Sequence, residues 1–332
     1  MSKIESTAAS PSQAMGARWH IADIQRETGL GKDTLRVWER RYGFPLPDRD
    51  ARGERRYSAE QLQQLQLIKR LMDAGHRAGQ VVGKSTTELQ RLLNAPSIQT
   101  KKMLAQPSKA PSAAAFEEPW VDWLASNEIG LIKQALQRNI VRHGLAKVIE
   151  TTIAPLCQLV GQAWLQGAIS VYQEHLFTEA LQSVLREAIA VIDGAAGGVK
   201  HSPRVMLTTT SNEQHGLGLL MAECQFALES CERYVLGTST PLSEMIEAAA
   251  RLNIDVLALS FSAHTARGDL VDSLRQLKAQ LPTSVQIWVG GAGASAFARA
   301  IPQGICLLKS MDDIAAQLNK WRADQSGEPA IA

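Results

Sequence analysis

The sequence predicts a multidomain chain of the α plus α/β class, in which two helical domains precede a parallel sheet. Its 332 residues exceed the roughly 100–200 of one typical domain. Apolar residues recur at three- and four-residue steps through 19–93 and 119–194, which predicts helices. After residue 198, short β-rich runs alternate with helical stretches, which predicts a sheet covered on both faces.

These patterns divide the chain into six segments. In chain order they are a disordered tail at 1–17, a helical domain at 18–90, a linker at 91–118, a four-helix bundle at 119–197, an α/β domain at 198–322 and a tail at 323–332. Hydrophobic residues make up 45% of the chain, which excludes wholesale disorder. No apolar run reaches the ~18 residues of a membrane span, and the four cysteines are scattered. We therefore expect a cytoplasmic protein with no membrane partner.

The charges are unevenly distributed, although the formal net charge is only +2. Residues 18–90 carry 14 basic and 10 acidic side chains, whereas the chain from 119 onward is net acidic. We therefore expect a polyanionic partner for the first domain only.

The first domain begins with a helix, a glycine-containing turn and a second helix between Trp19 and Tyr42. On the second helix, Leu35 and Trp38 occupy a face that would pack inward. Its basic residues Lys32, Arg36 and Arg40 share another face. This is the helix-turn-helix layout, in which the N-terminus of the second helix faces base edges.

A Gly-centred arginine hairpin follows at 48–58, and it suits a wing that lies along phosphates. Ser58 and Gln61 have capping-box spacing, which predicts the start of a third helix. The segments TLRVWERRYG and GERRYSAEQLQQLQLIKRL together resemble the MerR family of winged-helix regulators. The alternative interpretation is a basic helical domain whose charges are simply solvated. The resemblance implies operator DNA as partner. The residues assigned to DNA contacts are Lys32, Asp33, Thr34, Arg36, Arg40, Arg49, Arg55, Arg56 and Tyr57.

The last domain carries three small-residue sites at predicted carboxyl ends of strands, where parallel sheets bind ligands. The predicted strands are Val205–Thr209, Tyr234–Leu236, Val256–Phe261, Val285–Val289 and Ile305–Leu308. Glu213, His215 and Gly218 follow the first strand, Ser260 and Ser262 end the third, and Gly290 and Gly291 follow the fourth. Each alone is weak evidence, because a Glu-x-His is usually a surface pair and Gly-Gly is usually a turn.

Together the three sites resemble the flavodoxin-like (Rossmann-type) cobalamin-binding fold of corrinoid proteins. That resemblance implies His215 as the lower cobalt ligand and Glu213 as its hydrogen-bond partner. It also implies that the displaced nucleotide tail lies beside Gly218, Ser260, Ser262, Gly290 and Gly291. Residues 236–241, with Thr238, resemble the second-strand loop near that tail.

In the bundle, Trp164 is followed after nine residues by Glu174 and His175. Such a tryptophan is most often core, and such a Glu-His is most often a surface pair. The spacing resembles the W-x9-E-H motif of cobalamin photoreceptor regulators, the CarH/LitR group. The resemblance implies that these side chains cap adenosylcobalamin, that the dark protein assembles on DNA as a dimer or tetramer, and that light releases it. The histidine that follows this tryptophan in the group is Leu165 here, with His143 as a conceivable substitute.

The sequence therefore predicts a cobalamin-dependent transcription regulator rather than an enzyme, and three alternatives stay open. The protein could respond to cobalamin without light, or it could be a regulator that has lost the cofactor. A methyl-carrying corrinoid subunit would use the same sheet and bundle, but the winged helix argues against it.

Overall fold

The structure is a computed structural model that describes residues 18–73, 76–94, 118–195, 197 and 201–326. The predicted tail at 1–17, most of the linker and residues 327–332 lie outside the described residues. The chain forms two compact units, with the division at residues 101 and 102, and each is described by itself.

The first unit is a small three-stranded antiparallel sheet with helices packed on it. Its elements are β1 (Trp19–His20), α1 (Ile21–Thr28), α2 (Lys32–Tyr42), β2 (Asp48–Arg49), β3 (Arg55–Tyr57), α3 (Ala59–Asp73), α4 (Ala78–Val81) and α5 (Thr86–Asn94). The strand order is β1-β3-β2, so the wing hairpin β2–β3 is joined to the start of the domain.

Local sequence signals account for these elements. Gly29 ends α1 in the left-handed conformation at φ +71°, which a glycine adopts without steric cost. The predicted capping box at the start of α3 is confirmed: the Gln61 amide donates to Ser58 Oγ at 3.2 Å, and the Ser58 amide donates to Gln61 Oε1 at 3.3 Å. Leu35 and Trp38 are buried in the core, as their spacing predicts.

The second unit begins with a helical bundle. Its elements are α6 (Trp120–Ala125), α7 (Ile129–His143), α8 (Leu145–Val148), a π-helical turn (Ile149–Ile153), α9 (Ala154–Leu165) and α10 (Val171–Ala195). The π turn lies just before Pro155, which has no N–H to donate to the preceding helical turn. The Ala154 amide donates to Ile149 O, five residues earlier, which is the π-helical hydrogen bond. Within the described residues, no helix has the length and apolar character needed to cross a membrane.

A parallel five-stranded sheet follows the bundle. Its elements are β4 (His201–Thr210), α11 (Leu217–Leu228), β5 (Cys231–Thr240), α12 (Leu242–Arg251), β6 (Val256–Ser260), α13 (Arg267–Gln280), β7 (Gln286–Gly290), α14 (Ala292–Ala296), a 3₁₀ turn (Ala298–Ala300), β8 (Cys306–Leu307) and α15 (Asp312–Ser326). The strand order β5-β4-β6-β7-β8 is that of flavodoxin-like folds, whose switch point lies between the first and third strands. These are β4 and β6 here.

Strand β5 is longer than predicted, and residues 236–240 belong to it rather than to a loop. The run Gly-Thr-Ser-Thr reads as a turn in sequence, but side-chain hydroxyls attach it to β4. Thr208 Oγ1 donates to Gly237 O at 3.0 Å, and the Ser239 amide donates to Thr209 Oγ1 at 2.9 Å. These bonds span register irregularities in the ladder, and so they continue the strand where backbone pairing alone is interrupted.

Helix α11 joins the bundle to the sheet because it contributes to both cores. Met221 and Cys224 pack in the core of the bundle. On another side of the helix, Phe226 stacks on Trp288 of β7, with ring centroids 6.1 Å apart. The bundle and sheet are therefore packed on one shared helix.

An ion pair between a buried arginine and a partly exposed aspartate also crosses from the bundle to the sheet. Arg233 of β5 is only 5% exposed, and its Nη2 donates to both carboxylate oxygens of Asp193 in α10 at 2.8 Å. One guanidinium nitrogen thus bridges both oxygens of the carboxylate, a charge-assisted contact that fixes the end of α10 against the sheet edge.

The loop between β6 and α13 is seated against glycines of the β7–α14 turn. A Cβ on Gly293 would lie 2.3 Å from Ser262 O, and one on Gly291 would lie 2.3 Å from Phe261 O. The Gly293 amide donates to Phe261 O at 3.0 Å. Only glycine permits this approach, which sets the position of the loop residues that follow Phe261.

Replacement of Gly293 by alanine is expected to destabilise the second unit by about 1–3 kcal/mol, because the new methyl group overlaps backbone that has no space to move. Gly268→Ala is the matched control: Gly268 is an exposed helical glycine with nothing near its Cβ direction, so alanine should be neutral or slightly stabilising. Urea unfolding followed by far-ultraviolet circular dichroism measures both. Equal midpoints for the two variants would contradict this account of the loop.

Candidate functional site

The centre of the candidate site is a carboxylate–imidazole pair just after β4. His215 Nδ1 lies 2.6 Å from Glu213 Oε1, and the His215 amide donates to the same oxygen at 3.0 Å. Glu213 is 3% exposed, whereas the His215 side chain is 57% exposed. The buried partner therefore fixes an imidazole at the surface, and with Nδ1 held by the carboxylate, ligation of a metal would be through Nε2.

The second carboxylate oxygen of Glu213 is bound by the loop after β6. Ser262 donates to Oε2 from its amide at 2.9 Å and from Oγ at 2.8 Å, and Thr265 Oγ1 donates to the same oxygen. Burial alone would raise the pKa of Glu213, but the hydrogen bonds from His215, Thr265 and Ser262 outweigh it and lower the pKa well below its ordinary value. Glu213 is therefore held as a carboxylate.

The backbone around Glu213 is fixed by buried hydroxyls. Thr209 Oγ1 donates to Glu213 O at 2.5 Å and accepts from the Ser239 amide, so one threonine links β5 to the turn after β4. The carboxyl ends of β4, β5 and β6 thus meet around one residue, at the switch point of the sheet.

Small residues line the edge predicted to hold the cofactor tail, and two glycines there lie close to neighbouring side chains. A Cβ on Gly218 would lie 3.0 Å from Ser260 Oγ, and one on Gly216 would lie 3.3 Å from Cγ2 of Thr238. Gly290 ends β7 on the same edge, beside Leu308. The oriented imidazole supplies the nitrogen ligand that cobalt accepts, and small residues border it along this edge, so the residues present fit a corrinoid.

Sequence reasoning missed three contributors to this site. His264 stacks on His215, Thr265 binds Glu213, and Gly293 seats the loop that carries both. The resemblance places Ser262 beside the nucleotide tail, whereas in the structure its hydroxyl donates to Glu213 Oε2. The run of Ser, His and Thr directly after a buried strand is the only signal that sequence offered for these contacts.

The bundle residues of the W-x9-E-H motif lie at the end of α9 and the start of α10. Trp164 is half-buried against the bundle core. Glu174 Oε2 lies 2.8 Å from His175 Nδ1, and its Oε1 accepts from Thr178 Oγ1 at 2.9 Å. His175 is 70% exposed. The glutamate is therefore oriented by two neighbours, one of which is at the surface.

Three further bundle residues bear on the motif. Burial raises the pKa of the Cys157 thiol to about 12, and the negative charge of Glu174 is the second cause of this increase. The thiol therefore stays protonated. Leu165 is half-buried and has no ligating atom, and His143 is exposed at the end of α7.

The predicted recognition helix presents a polar face. Lys32, Asp33, Thr34, Arg36 and Arg40 are all exposed on α2. Arg36 Nη1 lies 3.1 Å from Asp33 Oδ1 in an exposed pair, which costs little to rearrange. This face therefore offers donors and cations to a groove.

The arginines of the wing are not equivalent. Arg49 is exposed, and its Nη1 donates to Gly53 O at 3.0 Å. Arg55 pairs with Glu39 of α2, and Arg56 pairs with Asp50, each at 2.9 Å and largely shielded. These two ion pairs fix the wing to the helix and close its hairpin.

The assignment of Tyr57 to DNA contact is wrong for its side chain. Tyr57 is 1% exposed and packs in the core of the first unit, and its burial raises the pKa of its hydroxyl. The Arg-Arg-Tyr run alternates across β3, so the tyrosine points inward at the register where it pairs with Trp19.

Comparison with known proteins finds one family match in the first unit and another in the helical bundle of the second unit. Residues 20–83 match the MerR HTH regulatory protein family, and residues 129–188 match the B12 binding domain family. The chain is 27% identical over 281 residues to the HTH-type transcriptional repressor CarH of Myxococcus xanthus, covering 84% of this chain and 91% of that one. It is 26% identical over 310 residues to the repressor CarA of the same organism, covering 92% and 98%. Among solved structures, the monomethylamine corrinoid protein of Methanosarcina barkeri is 13% identical. Its TM-score is 0.48, and the match covers 62% of this chain and 98% of that chain.

The two family matches and the two repressors together support a cobalamin-binding transcription regulator with a MerR-type helix-turn-helix region. The chain is similar to the two Myxococcus repressors over 84% and 92% of its length, so the similarity extends into both units. The prediction of a cobalamin-binding transcription regulator rather than an enzyme is confirmed, and its control by light and by assembly stays a prediction.

Proposed function

We propose that this protein is a repressor whose assembly and operator binding depend on adenosylcobalamin and on light. The observation that carries the proposal is the exposed imidazole of His215, held by buried Glu213 at the switch point of the sheet. That geometry suits a lower axial ligand of cobalt, which needs one ring nitrogen presented and the other hydrogen-bonded. His215 is the proposed ligand.

The remaining site residues are proposed to hold the rest of the cofactor. Gly218, Ser260 and Gly290 would border the nucleotide tail, with Thr238 and Gly291 beside it. Trp164, Glu174 and His175 would cover the opposite face, where an indole stacks well on an adenosyl group. When bound, adenosylcobalamin supplies a cobalt–carbon bond that light cleaves.

The chain's own residues would then couple cofactor to assembly. Since Trp164 belongs to the bundle and His215 to the sheet, a cofactor that contacts both stabilises one arrangement of the two. Adenosylcobalamin must bind the DNA-competent assembly, a dimer or tetramer, more tightly than the dispersed form, because equal affinity would shift nothing. An assembly with several winged helices gains operator affinity through effective concentration.

A second candidate is a regulator that senses cobalamin without light. It is favoured by one observation: Leu165 stands where the photoreceptor motif has a histidine, and it cannot ligate cobalt.

The cytoplasmic location stays a prediction.

The lower-ligand assignment is tested by absorption titration of the purified full chain with adenosylcobalamin in the dark. Wild-type protein should bind with the spectrum of a histidine-ligated corrinoid, and His215→Ala should weaken binding about 10- to 100-fold. His201→Ala, an exposed histidine at the start of β4, is the control and should bind as wild type. Unchanged affinity in His215→Ala would refute the assignment.

Light dependence is tested by light scattering on the cofactor-loaded protein before and after green illumination. The dark oligomer should dissociate on illumination, and Trp164→Ala should disfavour the dark oligomer, whereas Trp164→Phe keeps an aromatic ring and should retain more of it. An oligomer that forms with cobalamin but ignores light would favour the second candidate. An oligomer indifferent to the cofactor would contradict both.

DNA recognition by α2 is tested with a duplex selected by the wild-type protein from a random-sequence pool. Arg36→Ala should weaken binding by about 1–3 kcal/mol and relax sequence preference, because its guanidinium is on the exposed recognition face. Arg49→Ala should weaken all sequences alike and reduce the salt dependence by about one ion. Arg275→Ala, an exposed arginine of the second unit, is the control. Indifference to both test substitutions would contradict the docking.

A further inference from the structure

We propose that His264 is a positioning residue that sets the orientation of the His215 imidazole for cobalt. This inference deepens the proposed function and rests on it. The two rings are stacked, with centroids 4.8 Å apart and planes 19° from parallel. His264 is exposed in the loop between β6 and α13, where nothing in the sequence motifs singled it out.

The hydrogen bond to Glu213 does not by itself define the ring plane. It holds Nδ1 at 2.6 Å from Oε1 and so fixes one point of the imidazole. Small changes in the side-chain torsions χ1 and χ2 would swing Nε2 away from a bound metal while stretching that hydrogen bond only slightly. A stacked ring on one face opposes that rotation, because tilting would break the face-to-face contact.

The same loop controls both constraints on His215. The His264 amide donates to Ser262 Oγ at 3.2 Å, and that hydroxyl also bonds to Glu213 Oε2 at 2.8 Å. Ser262 Oγ lies 3.1 Å from His215 Nδ1 as well. The loop is seated by the close approach of Gly293 to Ser262 O. The carboxylate that anchors the imidazole and the ring that limits its tilt therefore move together.

A direct consequence concerns which base binds the cobalt. The cofactor carries its own nucleotide base, which competes with His215 for the lower site. A preoriented imidazole competes better because less rotational freedom is lost on ligation. Loss of the stack should therefore lower cobalamin affinity roughly two- to tenfold, the range that one aromatic pair supplies. It should also leave part of the bound cofactor ligated by its own base.

The test uses the full chain labelled with ¹⁵N-histidine and loaded with unlabelled cob(II)alamin, read by electron paramagnetic resonance. An axial ¹⁵N from the protein splits each line into two, whereas ¹⁴N from the cofactor's base splits it into three. Wild-type protein should give doublets. His264→Ala should give a mixture with triplets and weaker binding. His264→Phe keeps a stacked ring without a ligating atom and should restore doublets and affinity, while His201→Ala should match wild type.

Each outcome decides the matter. Doublets of full intensity and wild-type affinity in His264→Ala would overturn the inference, and so would a His264→Phe variant that behaves like His264→Ala. Doublets that persist in His215→Ala would show that His264 is itself the ligand and would also overturn it. Triplets in the wild-type protein, or no binding at all, would instead refute the proposed function, so the two failures are distinguishable. Because His264 is exposed, its substitution should leave the fold intact, as circular dichroism would verify.

Discussion

The buried carboxylate of Glu213 is the interaction on which the rest of the site depends. Removing a charge from water is costly unless it is hydrogen-bonded, and Glu213 receives bonds from the turn after β4 and the loop after β6. Its backbone carbonyl receives another from Thr209. Loss of any one donor would leave charge underpaired in a dry environment, so the two strand ends are held at a fixed spacing. The exposed imidazole takes its position from this arrangement.

Close backbone packing supplies the other half of that arrangement. The glycines after β7 allow the β6–α13 loop to approach so closely that no side chain would fit between. The resemblance to corrinoid proteins assigns Gly290 and Gly291 to the approach of a cofactor. In the structure, Gly291 and Gly293 accommodate the protein's own loop, so the fold itself requires small residues at this edge.

Most of the architecture follows from sequence periodicity and turn chemistry. The capping box at Ser58, the buried face of Leu35 and Trp38, and the alternation of strands and helices after residue 201 are local patterns, and local patterns are readable. The length of β5 was not readable, because Gly237 to Thr240 has turn composition and is held in the strand by hydroxyls of a distant segment. Tyr57 was misassigned for a similar reason: in a basic run, only strand register shows which side chain points inward.

The residues of the candidate site also differ in whether a local sequence pattern reveals them. Glu213 and His215 were found because they form a short motif at a strand end. His264 and Thr265 were missed because their partners lie about 50 residues away, and no spacing rule links them.

Helix α11 has a practical consequence for dissecting the molecule. Its Met221 and Cys224 are covered by the bundle, while Phe226 is covered by the sheet. A polypeptide severed between residues 195 and 201 would leave each fragment with an apolar stripe open to solvent, a condition that promotes aggregation. Fragments meant to isolate the sheet should therefore retain the bundle, because each of them covers an apolar face of the other.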